Sequence, residues 1–375
     1  MSHLQAYKND LYELRFSPMC KPAAEVANLT QLESHTTRAR MMMLWRIAEG
    51  LIEWTPREVA LVYESTLDSI SEAFDVFHYP VSQYMLAARA DIWEAGLAPE
   101  CVRQAVEASL TADFGAPDTS ETLLLAGEIA QLGDDTLLEP MKASAQTCGI
   151  EASAWVVATG ALAYTLGAWD VASAQAKQII AGIQASGAEI VIADGPETAW
   201  ALTKIYPGLG LSLPEGVSVK LLSVALDERY DNQTGPIPEN GPVLFHDSRP
   251  ACLLAEEMAN HLAIMPGYLE DEAAFGVGAV FEAPRRLLDA LPAQRVFGTW
   301  TRSLARTSGA DDGLWMTYPH LAAGLAAQRL DYADNLGAET IITDSPLAAS
   351  YLSKHTSGHS VGVKLLAEFF EGKKQ

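Results

Sequence analysis

Residues 337–354 read Gly-Ala-Glu-Thr-Ile-Ile-Thr-Asp-Ser-Pro-Leu-Ala-Ala-Ser-Tyr-Leu-Ser-Lys, and residues 187–204 read Gly-Ala-Glu-Ile-Val-Ile-Ala-Asp-Gly-Pro-Glu-Thr-Ala-Trp-Ala-Leu-Thr-Lys. Both copies run through a helix-ending Gly, a short apolar strand, an Asp-x-Pro corner and a new helix. A small turn precedes each at a similar distance, Ala158-Thr159-Gly160 and Thr307-Ser308-Gly309. Two copies of one βα unit, 150 positions apart, predict a duplicated domain rather than one large sheet.

Outward from the repeat, the first unit is expected to contain a strand at Leu123–Leu125, a helix at Val171–Ser186 and a strand at Ile190–Ala193. The second opens with the strand Val243-Leu244-Phe245, which ends in His246-Asp247-Ser248-Arg249. It continues through helices at Glu282–Leu291 and Pro319–Leu336 to a strand at Ile341-Ile342. The tail from Gly358 is expected to contain one more short amphipathic helix. Strand, helix, strand at this spacing favours parallel sheets with sites at the carboxyl ends of their strands.

Upstream of both units the pattern is helical: Arg38–Ile52, Pro56–Ala73 and Val81–Gly96 are periodic in apolar residues, and Thr55-Pro56 supplies a capping start. Arg38, Arg40, Arg46 and Arg57 offer either a docking patch or a solvated helix face. Segments rich in Asp, Gly, Pro and Asn around 113–121 and 231–242 divide the chain into 1–115, 116–235 and 236–375.

The composition is 49% hydrophobic and 19% charged, with a formal charge of −23. That charge argues against nucleic acid and anionic membrane surfaces, both of which require basic residues in excess. Residues 152–169 carry no charge but are mostly small, so a buried βα segment is expected there rather than membrane insertion. The polar start shows no signal peptide, and a cytoplasmic location is expected. Cys20, Cys101, Cys148 and Cys252 share no metal spacing. No P-loop, Rossmann glycine fingerprint or nucleophile elbow occurs. The most suggestive polar group is His246-Asp247 at a strand end, which could do acid–base work with Arg249, Arg306, Asp311 and Asp312 if they converge. The alternative is that His246 and Asp247 cap the following turn.

Residues 284–346, from Pro284-Arg285-Arg286-Leu287-Leu288 through Gly313-Leu314-Trp315-Met316 to Asp344-Ser345-Pro346, resemble the cysteine-rich CCG domain. That domain occurs in heterodisulfide reductase subunits and in the iron–sulfur subunits of glycolate- and lactate-oxidising enzymes. His246-Asp247 resembles the family's His-Asp-Pro-Cys segment, 122–204 a preceding domain copy, and Arg38-Ala39-Arg40 an Arg-Gly-Arg motif of its ferredoxin-like domain. The resemblance implies an N-terminal helical ferredoxin-like domain followed by two related Rossmann-like α/β domains of CCG type, an α+β or α/β chain with parallel sheets.

The departures concern the cluster ligands. Where the family has Cys-Cys-Gly, this chain has Thr307-Ser308-Gly309 and Ala158-Thr159-Gly160. The place of Cys-Pro-x-Cys is taken by Ser345-Pro346-Leu347-Ala348 and by Gly195-Pro196-Glu197-Thr198. Arg249 stands at the remaining thiolate position, with Cys252 three residues out of register. The ferredoxin positions read Asp10, Glu13, Phe16 and Cys20, then Ser65, Asp68, Ser71 and Asp75. Cluster iron needs soft thiolates, so no cluster, metal or other cofactor is expected.

The resulting expectation is a non-redox structural, assembly or regulatory subunit of a heterodisulfide reductase-like complex, with other reductase-like subunits as partners. The alternative is a carboxylate or sulfur-oxyanion binder, or an enzyme, reusing the vacated cleft through His246, Asp247, Arg249, Arg306, Thr307, Ser308 and Asp344.

Overall fold

The branched run Ile190–Ala193 and its repeat Thr340–Thr343 are strands, β3 and β6, because each carries bulky side chains to two buried faces. The computed structural model describes residues 2–17, 20–67, 69–74, 79–110, 115–133, 135–230, 236, 239, 241–255 and 277–372. β3 lies in a sheet with β1 (Thr122–Ala126), β2 (Ser153–Val156) and β4 (Ser218–Leu221), in the order β2-β1-β3-β4. β6 lies between β5 (Val243–Phe245) and β7 (Gly362–Leu365). Every pairing in both sheets is parallel. An isolated parallel bridge, Val243 to Arg295, stands on β5 where β2 stands on β1, so the second sheet keeps one residue of a fourth strand. The protein is a mixed α+β fold, mostly helical, with two small parallel sheets.

Contacts between the two units are exchanged pairwise. The helix after β1 (Gly127–Leu132) packs on the helix after β6 (Pro346–Ser353), and the helix after β3 (Pro196–Trp200) packs on the helix after β5 (Arg249–Leu254). Leu138–Thr147 likewise meets Leu366–Phe370, while Leu222–Arg229 meets Val277–Asp289. In each pair, equivalent elements trade places, which is how an isologous dimer is built. Here the arrangement is carried on one chain.

Alternation along the strands assigns the cores. Leu123 and Leu125 point into a core shared with the front helices, where Leu44, Tyr63 and Met85 are buried. Leu124 and Ile192 point the other way, into a core shared with Phe245, Leu287 and Ile342 of the second unit.

Two elements differ from the sequence expectation. Pro56–Ala73 is not one helix: it stops at Tyr63 and resumes at Ser69, with Leu67 at φ +53° between. Buried guanidinium groups take the carbonyls at the break. Arg40 donates to Leu61 O (3.0 Å) and Glu64 O, Arg89 to Ser65 O (3.0 Å), and Arg249 to Thr66 O (2.5 Å). Cationic donors at a helix C-terminus satisfy its orphan carbonyls and suit its dipole. Arg40 is therefore interior, not part of a surface patch. Arg38 and Arg57 pair locally with Glu33 and Glu64, and Arg46 is exposed. The second difference is the tail, where strand β7 precedes the expected short helix, which is a 3-10 helix at Leu366–Phe370 with Leu366, Ala367, Phe369 and Phe370 buried. A signal for the strand exists: Val363-Lys364-Leu365-Leu366 repeats Val219-Lys220-Leu221-Leu222, which forms β4 and its exit.

Candidate functional site

Parallel strands deliver their next residues to one edge, so the corners after β1, β3, β5 and β6 converge where the two units meet. Pairing register makes the two sets comparable. Leu123 faces Val191 as Leu244 faces Ile341, and the repeat aligns Val191 with Ile341, so counting onward Glu128 and Arg249 are equivalent.

Glu128 is 0% exposed and serves both units. Its Oε1 accepts Glu197 N at 2.9 Å, while Oε2 accepts Leu347 N at 3.0 Å and Ser345 Oγ at 2.5 Å. Asp194 accepts Thr198 Oγ1 (2.6 Å) and Ile129 N (3.0 Å). Removal from water, with neighbouring carboxylates adding to it, holds Glu128 well above the usual carboxylate range. Burial raises Asp194 to about 6 and Glu197 to about 8.

The second unit is built from opposite charge. Arg285 grips Asp247 through two contacts, Nη1 to Oδ1 at 2.9 Å and Nη2 to Oδ2 at 2.6 Å. Arg302 N (2.7 Å) and Thr301 Oγ1 (3.0 Å) also donate to Asp247. Burial pushes the Asp247 carboxyl up, but Arg285 and these donors outweigh it and hold the group below its ordinary value. Asp247 is thus an ionised anchor rather than a proton carrier. Arg249, 0% exposed, reaches Thr66 of the front helices and faces Asp312 at 3.8 Å.

At the Thr307-Ser308-Gly309 corner, Asp311 Oδ2 accepts Thr307 Oγ1 (2.6 Å), Ser308 N (2.9 Å) and Ser308 Oγ (3.1 Å). Glu25, from the front, accepts Thr307 N at 2.9 Å, and burial raises its carboxyl to about 7. Gly309 sits at φ +89°, where an added Cβ would lie 2.3 Å from Ala322 O. Its counterpart Gly160 has φ +86° and is crowded by Ala172 O at 3.1 Å. The glycine survives in both copies because backbone from the following helix fills the space a side chain would need.

The structure brings His246, Asp247, Arg249, Thr307 and Ser308 into one buried region, with Arg306 at its partly exposed margin. Asp344 accepts Ser223 Oγ at 3.0 Å and lies within charge range of Asp247 and Arg285; burial, then the Asp247 charge, raises it to about 7. Thr159, Thr198, Ser345 and Ala348 are buried corner residues. The ferredoxin positions do not share one environment. Glu13 and Phe16 face solvent, Asp10 accepts Tyr84 Oη (2.9 Å), and Cys20, Ser65 and Ser71 are buried. Asp68 and Asp75 lie outside the described residues. Cys252 donates its thiol to Arg302 O at 3.1 Å, and burial pushes it up to about 12, so a thiolate is disfavoured there. Among the described residues, His3, Asp91 and Glu94 are near enough to share a cation, but they lie in the front region and already bond each other and Ser2.

Sequence reasoning missed Arg329. It lies on the helix Pro319–Asn335, whose buried stripe is otherwise Leu321, Ala322, Leu325, Ala326, Leu330 and Ala333. A lone Arg in an apolar helical stripe was the readable signal. It is 3% exposed, and its Nε, Nη1 and Nη2 have no hydrogen-bond partner among the described residues. Both ring nitrogens of buried His246 are likewise unpartnered. Burial, then the Arg329 charge, holds this imidazole well below its ordinary value and therefore neutral. A separate open cleft of about 900 Å³ lies between the front and the first unit, lined by Tyr7, Tyr164, Trp169, Trp200 and Lys204, and shares no residue with these corners.

Among the described residues, no helix is long and apolar enough to cross a membrane. No protein-family model matches the chain, and no curated protein matches it. Among solved structures it is similar to a chain described as a hypothetical protein from Helicobacter pylori, with a TM-score of 0.59 at 11% identity. The match covers 100% of this chain and 76% of that one, and it is a likeness of fold alone.

Proposed function

We propose that this chain is a non-redox structural or assembly subunit of a heterodisulfide reductase-like complex, the sulfur-oxidising kind being the setting its sequence resemblance suggests. It would have kept a cluster-bearing scaffold and lost the clusters. The observation that supports this is the way the corner residues use one another. Thr307 and Ser308 are taken by Asp311, Ser345 by Glu128 and Thr198 by Asp194, all inside a protein interior. Oxygen groups already engaged in short hydrogen bonds make poor ligands for iron, which prefers thiolate in such clusters. With no electron path, the remaining role is to hold partners through surface and shape.

Two measurements test this reading. Protein purified without oxygen should be colourless and carry no stoichiometric iron. Tagged protein drawn from its native source under gentle conditions should bring reductase-like subunits with it. Stoichiometric iron with a brown spectrum would overturn the loss of clusters, and recovery of the chain alone would overturn the complex.

A further inference from the structure

One buried cluster keeps its polar atoms free of one another. Within reach of the Arg329 charge, the unpartnered atoms include both nitrogens of His246, Glu25 Oε2 and Arg306 Nε. Arg329 is close enough to Asp247, Glu25 and Arg306 for their charges to act on it, and its guanidinium carbon lies 5.4 Å from the Tyr332 ring centroid. The neighbouring carboxylates are engaged elsewhere, Asp247 by Arg285 and the Oε1 of Glu25 by Thr307 N. No ion pair joins either of them to Arg329, although a buried guanidinium without hydrogen-bond acceptors is strongly disfavoured.

We infer that these residues form a closed site for one small oxyanion, held edge-on by the Arg329 fork with Arg306 at its mouth. A planar fork of N–H donors matches two oxygens of a carboxylate or of a sulfur or phosphorus oxyanion. Neutral His246 supplies one further ring N–H, and Glu25 in its protonated form a second donor. Arg306, partly exposed, stacks over Trp300 at 3.8 Å and reaches Pro22 O at 3.4 Å, so the side open to solvent is theirs. The site does not rest on the subunit reading above, since an iron-free protein can bind an anion whether or not it joins a complex.

The test is a set of thermal melts of the full chain in sodium acetate, sulfite, sulfate or phosphate at constant ionic strength, with chloride as reference. At least one of these oxyanions should raise the melting temperature saturably, by roughly 2–5 °C. Acetate alone would identify a carboxylate site, and sulfite, sulfate or phosphate a pyramidal or tetrahedral one. Arg329→Met should abolish the rise, and Arg306→Gln should weaken the apparent affinity about tenfold, the loss of one charged contact. Should Arg329→Met fail to fold, Arg306→Gln at the margin carries the comparison. No rise above chloride, or an equal rise in wild type and the Arg306 variant, would overturn the site.

Discussion

Glu128 and Arg249 occupy the same position in the two copies of the repeat, both fully buried, one a carboxyl and the other a guanidinium. Glu128 uses its two carboxyl oxygens to accept donors from both α/β units, whereas Arg249 turns away to the front helices at Thr66. Duplication supplied one corner geometry, and divergence of one side chain gave the copies different neighbours. The first corner joins unit to unit, and the second joins unit to helical front.

Stability should fall as pH rises from about 5 to 8. Glu25 and Asp344 are raised to about 7, Asp194 to about 6 and Glu197 to about 8, so each binds its proton more tightly folded than unfolded. A raised carboxyl contributes its full stability below its unfolded value and loses it as pH climbs through the folded one. His246, held low, works in reverse, because the unfolded chain takes up a proton there below about 6.5. Below that point one imidazole is outnumbered by these carboxyls, and above it the imidazole adds no pH dependence. Melting temperature measured from pH 6.5 to 9 should therefore drop, and a flat or rising profile would contradict the buried-acid account.

Two glycines with similar backbone angles should respond very differently to Ala. Gly187 has φ +73° and open space around its missing Cβ, so Gly187→Ala costs about 1–2 kcal/mol, the left-handed backbone penalty alone. Gly309→Ala carries that penalty and also drives a methyl to within 2.3 Å of Ala322 O. Displacing the helix to relieve it adds about 1–3 kcal/mol. Urea denaturation of the two variants measures the difference, and equal losses would mean that the Ala322 helix yields freely.

The repeat was legible because it consists of side chains with fixed local meaning: a Gly that ends a helix, branched residues that extend, and an Asp-x-Pro corner. Strands β4 and β7 were harder to read, since Ser218-Val-Lys-Leu221 and Gly362-Val-Lys-Leu365 are short and half polar. The break after Tyr63 could not be read locally at all. Its cause is Arg89 and Arg249, which approach from distant parts of the chain, and apolar period alone continues through it. The candidate residues from 246 to 249 were found by their place at a strand end, and Thr307 and Ser308 by the small turn before the repeat and its likeness to Cys-Cys-Gly. Arg329 was marked in the sequence only as a lone charge in an apolar helical stripe, and its lack of acceptors is seen only in the packed interior.

Removing one member of the Arg285–Asp247 pair should be more damaging than removing both. Arg285→Met leaves an ionised carboxylate buried with only Thr301 and Arg302 N as donors, at a cost of roughly 3–5 kcal/mol. Adding Asp247→Leu removes the stranded charge and should recover part of that loss. A double-mutant cycle by chemical denaturation reads the coupling. Additive losses would show that the two side chains act independently.

Arg89 should bind the three regions of the chain into one cooperative unit. Its Nη1 donates to Thr165 O of the first α/β unit at 3.0 Å and to Asp312 O of the second at 3.2 Å, while Nη2 reaches Ser65 O of the front at 3.0 Å. Backbone carbonyls cannot move to find new donors without moving their segments, so the loss is shared by all three. Arg89→Met keeps most of the volume but strands these acceptors, at about 1–3 kcal/mol for each that water cannot reach. The front helices pack Leu44 and Met85 into a core shared with Leu123 and Leu125 of β1, and they should loosen first. Hydrogen exchange should then show amides of Pro56–Tyr63 and Val81–Glu94 opening at lower free energy than those of β3 and β6. Uniform acceleration across all these segments would instead mean that the protein unfolds as one block with or without this guanidinium.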